Sequence, residues 1–327
     1  MAAAILVLLA LPVVLAGLAL AAGAAASLVI AARVAALHPP AGPFVPVAGG
    51  RLATLQAGPP DGVPVVLLHG AAANAADPMA GIGGLLADRG FRVIAFDRPG
   101  FGWSDRLGGA AAASPAAQAR IIAEALAGMG VGPAVVFGHS WSGALALALA
   151  LDHPERVAGL ALAAPVAMPF PARRDALPWF WRLALSPPVA WLLSRTIGPP
   201  VALLYLDAAA RNVFAPEAPV AVYRERARAA LVLRPNTLLA GVQDLVALPA
   251  ALAAQAPRYG ALRVPTLIVS GAADPVVRPD AQAEPLAAAI PGARLVLLPG
   301  VGHMLHYTAP ERLAEEVGRF AETAAGR

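Results

Sequence analysis

Three stretches of the 327-residue chain combine residue types that do chemistry together. The first is Gly138-His139-Ser140-Trp141-Ser142-Gly143, which interrupts a branched apolar run and gives way to an Ala/Leu run. A serine at so sharp a junction can present its oxygen to solvent from a rigid backbone, provided that its close neighbours are small. Gly138 and Ser142 meet that demand. A serine alone is a poor nucleophile and needs a base, which in turn needs an orienting acid. The second stretch, "SGAADPVV" (270–277), offers Asp274 as the acid. The third, "GVGHMLHYTAPE" (300–311), offers His303 as the base. Asp280 and Asp152 are competing acids and His306 is a competing base.

A carbonyl attacked by a serine develops a negative oxygen, which two backbone N–H groups must hold. Trp141, directly after the serine at a helix start, supplies one; Ala71, after "LLHG", supplies the other. Trp103 and His69 border the site and are the expected substrate contacts. His69 and His139 also read as residues that fix loops by hydrogen bonds. Asp97, Arg98 and Ser104 read as holding a neighbouring loop, and Trp141 as packing or pocket wall besides its backbone role.

These residues must be positioned by strands and helices. Short apolar runs at 63–69, 91–97, 134–138, 157–164, 264–270 and 293–298 predict strands. Residues 116–129 and the stretch from Ser140 to Leu151 predict helices. Such alternation implies a mainly parallel sheet with helices on both faces, where ligands bind beyond the C-terminal strand ends. Ser140, Asp274 and His303 all fall there. Residues 167–260 break the rhythm: they contain helical stretches, prolines and Trp179, Trp181 and Trp191, and predict a helical insertion.

Residues 2–32 carry no charged side chain, more than the roughly 20 apolar residues that span a bilayer. They predict an N-terminal anchor over residues 1–37. A cleaved signal peptide, with Ala24-Ala25-Ala26 as a small-residue site, is the rival; the absent N-terminal charge and the length count against it. Arg33 and Arg51 place the remainder on the cytoplasmic side, on only two charges. "HPPAGPFVP" (38–46) reads as a Pro-rich linker.

Composition narrows the function. All 24 basic side chains are arginine and the net charge is +4. The arginines are scattered apart from Arg173-Arg174 and the group Arg224, Arg226 and Arg228, which reads as one solvated helix face. Without a basic stripe interleaved with aromatics, nucleic-acid binding is not expected. Cysteine is absent, which excludes thiolate catalysis, disulfides and cysteine metal sites.

The sequence resembles the α/β-hydrolase superfamily, in its group of cap-bearing hydrolases. The resemblance rests on His69-Gly70, "FDRPGFGWSD" (96–105), "GHSWSG" (138–143) and the two later stretches, and spans about residues 47 to 320. It implies eight mostly parallel strands with a helical cap after the sixth. The domains are then the anchor at 1–37, the hydrolase core at 38–166, the cap at 167–260 and the rest of the core at 261–327. One departure is Ser142, where the pattern has glycine.

The expected activity is hydrolysis of a carboxylic ester with an apolar acyl or alkyl group, without metal or organic cofactor, on a lipophilic substrate reached from the membrane. Dehalogenases and epoxide hydrolases of this superfamily use an aspartate nucleophile, which Ser140 argues against. The glycine-rich loop of carbon–carbon bond hydrolases is not seen in "HGAAANAADP". Haloperoxidase-type perhydrolysis and acyl transfer run on the same triad and stay open. A non-catalytic ligand receptor on this scaffold is the reading of another class.

Overall fold

The computed structural model describes residues 2–170 and 179–326. Arg173 and Arg174 lie outside the described residues, as does the side chain of Trp181.

Eight strands form one sheet in the order β1-β2-β4-β3-β5-β6-β7-β8. They are β1 (Phe44–Val47), β2 (Gly50–Ala57), β3 (Pro64–Leu68), β4 (Arg92–Phe96), β5 (Ala134–His139), β6 (Val157–Ala163), β7 (Thr266–Gly271) and β8 (Arg294–Leu298). β1 and β2 pair antiparallel, as do β2 and β4; the pairings from β4 through β3 to β8 are parallel.

The central strands are apolar on both faces because both are covered. Side chains alternate across a strand, so Val65, Leu67, Val135 and Phe137 enter one core while Val66, Leu68 and Val136 enter the other. Among the described residues, the α-helices of six or more residues are α1 (Ala2–Leu37), α2 (Pro115–Gly128), α3 (Ser142–Asp152), α4 (Trp179–Ala184), α5 (Pro187–Arg195), α6 (Gly198–Phe214), α7 (Pro235–Gln255), α8 (Ala283–Ala289) and α9 (Pro310–Ala324). Ser114 caps α2, accepting from the Ala117 N–H at 3.2 Å. Residues 142–150 of α3 are all buried, and their alternating Ala and Leu let this helix pack closely between sheet and neighbours.

Two expectations are corrected. Residues 44–46 are not linker but part of the edge strand β1, where Pro46 is tolerated because an edge strand does not use every N–H. Arg224, Arg226 and Arg228 do not share a helix face. The helix Tyr223–Arg226 ends before Arg228, whose φ is 49°, and the three bind Asp207, the Ala80 carbonyl and the Pro39 carbonyl respectively.

α4 to α7 lie between β6 and β7. α7 is long and apolar, but Asp244 on it is buried and holds Arg98 of the sheet's loop layer, so it belongs to the folded body. α1 is a continuous 36-residue helix whose segment Leu11–Leu37 is apolar enough to cross a membrane. Its C-terminal half is docked: Ser27 donates to the Thr196 carbonyl, and Val34 packs with Leu231 and Leu233.

Candidate active site

Ser140 follows β5 and precedes α3 with φ at 54°. A non-glycine residue adopts that region only under strain, which the surrounding structure must hold. The small neighbours are required: a Cβ on Gly138 would overlap the Ser142 carbonyl, and one on Gly143 would meet Pro165. Ser140 lines a cavity of about 360 Å³ together with Gly70, Ala71, His139 and His303. Ala202, Tyr205 and Leu206 of α6 line it from the other side. Ser140 Oγ has no hydrogen-bond partner among the described residues.

Asp274 and His303 meet across 29 residues of sequence, with His303 Nδ1 2.7 Å from Asp274 Oδ2. The second carboxylate oxygen accepts the N–H groups of Val276 at 2.7 Å and Val277 at 2.9 Å, which fixes the carboxylate plane. Acid and base loops approach closely because Gly271 has no side chain; a Cβ there would collide with the Val301 and Gly302 carbonyls. The competing residues are engaged elsewhere. Asp280 pairs with Arg278 at the surface, Asp152 with Arg258 at 2.6 Å, and His306 with Asp77 at 3.2 Å.

Ala71 lines the cavity. Trp141 stands at the N-terminus of α3, among the N–H groups that a helix leaves without internal partners. Its indole is 1% exposed and packs under the Arg98 guanidinium, 4.1 Å from the ring centre, so it is a packing residue and not a cavity wall.

The two expected substrate contacts lie elsewhere. Trp103 is absent from the cavity lining; its Nε1 donates to the His38 carbonyl at 2.9 Å and Arg234 stacks on its ring at 4.0 Å. It therefore holds the end of α1. His69 is fully buried. Its Nε2 accepts the Arg98 N–H at 3.0 Å, so the proton sits on Nδ1, 2.9 Å from the Gly70 carbonyl. Burial, then the charge of Arg98, holds its pKa well below the usual imidazole range.

The loop-fixing expectations for Asp97, Arg98, Ser104 and His139 describe what is seen. Asp97 accepts the N–H groups of Ala75 and Trp103, each at 2.7 Å, and burial raises its pKa to about 6. Ser104 donates to the Asp97 carbonyl at 2.6 Å. His139 Nε2 lies 3.1 Å from the His303 carbonyl and must donate to it. Burial and the neighbouring histidines keep His139 neutral by holding its pKa well below the usual range.

Sequence reasoning missed Asp244, and it read Ser142 only as a small neighbour of Ser140, not as a hydrogen-bond donor. Arg98 is buried and donates to Asp244, Gln118 and the carbonyls of His69 and Gly70, so it ties the Ala71 loop to α7. Ser142 Oγ donates to the His69 carbonyl, tying the same loop to the serine turn. Asp77, His139 and His306 are buried with ligand atoms within 4.8 Å of one another. Within this group His306 Nε2 lies 3.2 Å from Asp77 Oδ2.

A family model described as the alpha/beta hydrolase fold matches residues 63–310. The chain belongs to the α/β-hydrolase fold family. This hydrolase is 29% identical over 272 residues to a 2-hydroxymuconate semialdehyde hydrolase of Pseudomonas putida, covering 81% of this chain and 89% of the relative. An esterase from Exiguobacterium antarcticum is similar in structure, with a TM-score of 0.69 at 25% identity over 86% of this chain and 100% of that one. A membrane phospholipase A shares the fold at 23% identity and a TM-score of 0.66, covering 100% of both chains.

Proposed function

We propose that this hydrolase cleaves carboxylic esters through Ser140, His303 and Asp274 and a covalent acyl-enzyme. The reading is carried by one observation: the strained serine at φ 54° shares a cavity with a histidine whose far nitrogen is 2.7 Å from a buried carboxylate.

Asp274 accepts a hydrogen bond from the Nδ1–H of His303, which holds the proton on Nδ1 and leaves the Nε2 lone pair free as a base. His303 Nε2 takes the Ser140 proton as Oγ bonds to the carbonyl carbon. The displaced electron pair rests on the carbonyl oxygen, held by the N–H groups of Ala71 and Trp141. The C–O bond to the alcohol then breaks, and His303 returns the proton to the leaving oxygen. Water repeats the sequence on the acyl-enzyme, releasing the acid and restoring Ser140.

The helical insertion serves as the cap: its α6 residues Ala202 and Leu206 make the far wall apolar, which suits an apolar acyl or alkyl chain. A cavity of about 360 Å³ takes a small or medium chain. The esterase similarity supports the ester class. The hydrophobic N-terminal helix serves as a single-pass anchor, so the natural ester is lipophilic.

A fluorophosphonate probe tests the nucleophile. The full-length protein becomes labelled and Ser140→Ala does not; labelling that survives Ser140→Ala overturns the assignment. A p-nitrophenyl ester series tests the substrate, with longer acyl chains expected to outperform acetate.

A further inference from the structure

The burial pattern of α1 changes abruptly along its length. Residues 11–19 are exposed all round, with Val13 at 72% and Leu18 at 62%. From Gly23 onward one face is covered: Gly23, Ser27, Ile30 and Val34, at helical spacing, meet the body. Among the residues whose burial is described, the folded body leaves 11–19 and 21–22 exposed. The charge-free stretch of α1 before Gly23 is the part that the body leaves to a bilayer, and it belongs to a helix whose segment Leu11–Leu37 is apolar enough to cross one. The bilayer surface therefore falls near Gly23.

At that level α1 touches the elbow between α5 and α6. A Cβ on Gly23 would lie 3.1 Å from Ile197 Cγ2, and Ser27 bonds the Thr196 carbonyl. The elbow turns through 78° and its two helices together are apolar enough to pass as a membrane segment. Its outer residues are large, apolar and exposed: Trp191 at 52%, Leu192 at 39%, Ile197 at 41% and Val201 at 47%. A water-facing surface of that kind, continuous with a spanning helix, is the signature of an interface with lipid. Arg195 stacks on Trp191 at 4.5 Å, an amphipathic pair suited to the headgroup layer. From the elbow, α6 runs on to line the Ser140 cavity with Ala202, Tyr205 and Leu206.

We propose that the α5–α6 elbow docks into the interfacial layer of the bilayer that holds the N-terminal span, through Trp191, Leu192, Ile197 and Val201. α6 then forms the route by which a lipid-dissolved ester reaches Ser140. The docking stands on the α1 geometry alone; the delivery route rests on the ester-hydrolase reading.

The cysteine-free chain makes the test clean. Full-length protein with a single nitroxide at Ile197→Cys or Leu192→Cys is reconstituted in phosphatidylcholine/phosphatidylglycerol vesicles, with Glu322→Cys on α9 as the water-facing control. The elbow labels are expected to favour dissolved oxygen over a water-soluble nickel relaxant; the control favours nickel. Elbow labels as nickel-accessible as Glu322→Cys overturn the docking. So does spin–spin broadening at Ile197→Cys without lipid exposure, which would make the elbow a contact between copies. In parallel, Ile197→Glu is expected to lower turnover of a vesicle-dissolved ester about tenfold and leave a soluble short-chain ester unchanged. Equal loss on both substrates overturns the delivery route. Fluorophosphonate labelling of the same samples separates the two readings: lipid-exposed labels on an unreactive protein sink the hydrolase assignment and keep the docking.

Discussion

The Ser142 hydroxyl donates a 2.5 Å hydrogen bond to the carbonyl oxygen of His69, joining the turn that carries Ser140 to the loop that carries Ala71. The two halves of the proposed oxyanion hole come from segments 70 residues apart in sequence, and this bond ties those segments together. Glycine, which the family pattern has at this position, could not make it.

Ser142→Ala removes that tie. The His69 carbonyl keeps its Arg98 donor at 3.1 Å, so the stability loss is small, about 1 kcal/mol. The rate loss should be larger than the stability loss, because the hole acts only on the transition state. Steady-state ester kinetics should show kcat reduced and KM nearly constant; a change confined to KM would contradict this role.

Asp274→Asn separates acid from scaffold. The asparagine oxygen still accepts the Val276 and Val277 N–H groups, so thermal unfolding changes little. Its amide N–H₂ then faces His303 Nδ1 and drives the imidazole proton onto Nε2, where it blocks the base. A fall in kcat of roughly 10⁴ is expected. Asp280→Asn, which disturbs only a surface pair with Arg278, is expected to leave kcat unchanged.

Asp244 neutralises two arginines from inside the fold, Arg98 and Arg106, each at 2.7 Å. Asp244→Ala strands the buried Arg98 charge and is expected to cost about 3–5 kcal/mol. Asp207→Ala breaks an exposed pair with Arg224 and should cost under about 1 kcal/mol. Urea denaturation of both variants checks the contrast.

Acid stability follows from three buried groups. His69 and His139 have pKa values held well below 6.5, mainly by burial. Below about pH 6.5 the unfolded chain binds protons that the native imidazoles refuse, so stability is lost as pH falls. Asp97, raised to about 6 by burial, works in the opposite sense. Its contribution is full below its ordinary value of 3.8 and is lost as pH rises through 6. Two proton-binding histidines against one carboxylate leave a net loss of roughly 1 kcal/mol per pH unit between pH 6 and 5. Urea midpoints should fall over that interval, and more steeply in Asp97→Asn; midpoints that rise on acidification would contradict the balance.

The sequence by itself determined the local elements. Branched apolar runs located six strands, because strands buried on both faces need continuous apolar residues. The small residues around Ser140 located the turn, because only they fit there. The apolar N-terminal segment was legible from its length and lack of charge. β1 and β2 were hidden: they lie at the sheet edge, where prolines and exposed positions blur the pattern.

Only the tertiary structure decided which side chains meet. Trp103 and His69 have residue types suited to a pocket wall, yet one grips His38 and the other lies beneath the loop. The Arg98–Asp244 pair joins positions 146 apart, and the contact of Gly23 with Ile197 sets where α1 leaves the body. Such relations depend on which surfaces the folded elements bring together, and sequence periodicity reports only which face of an element is apolar, not what covers it.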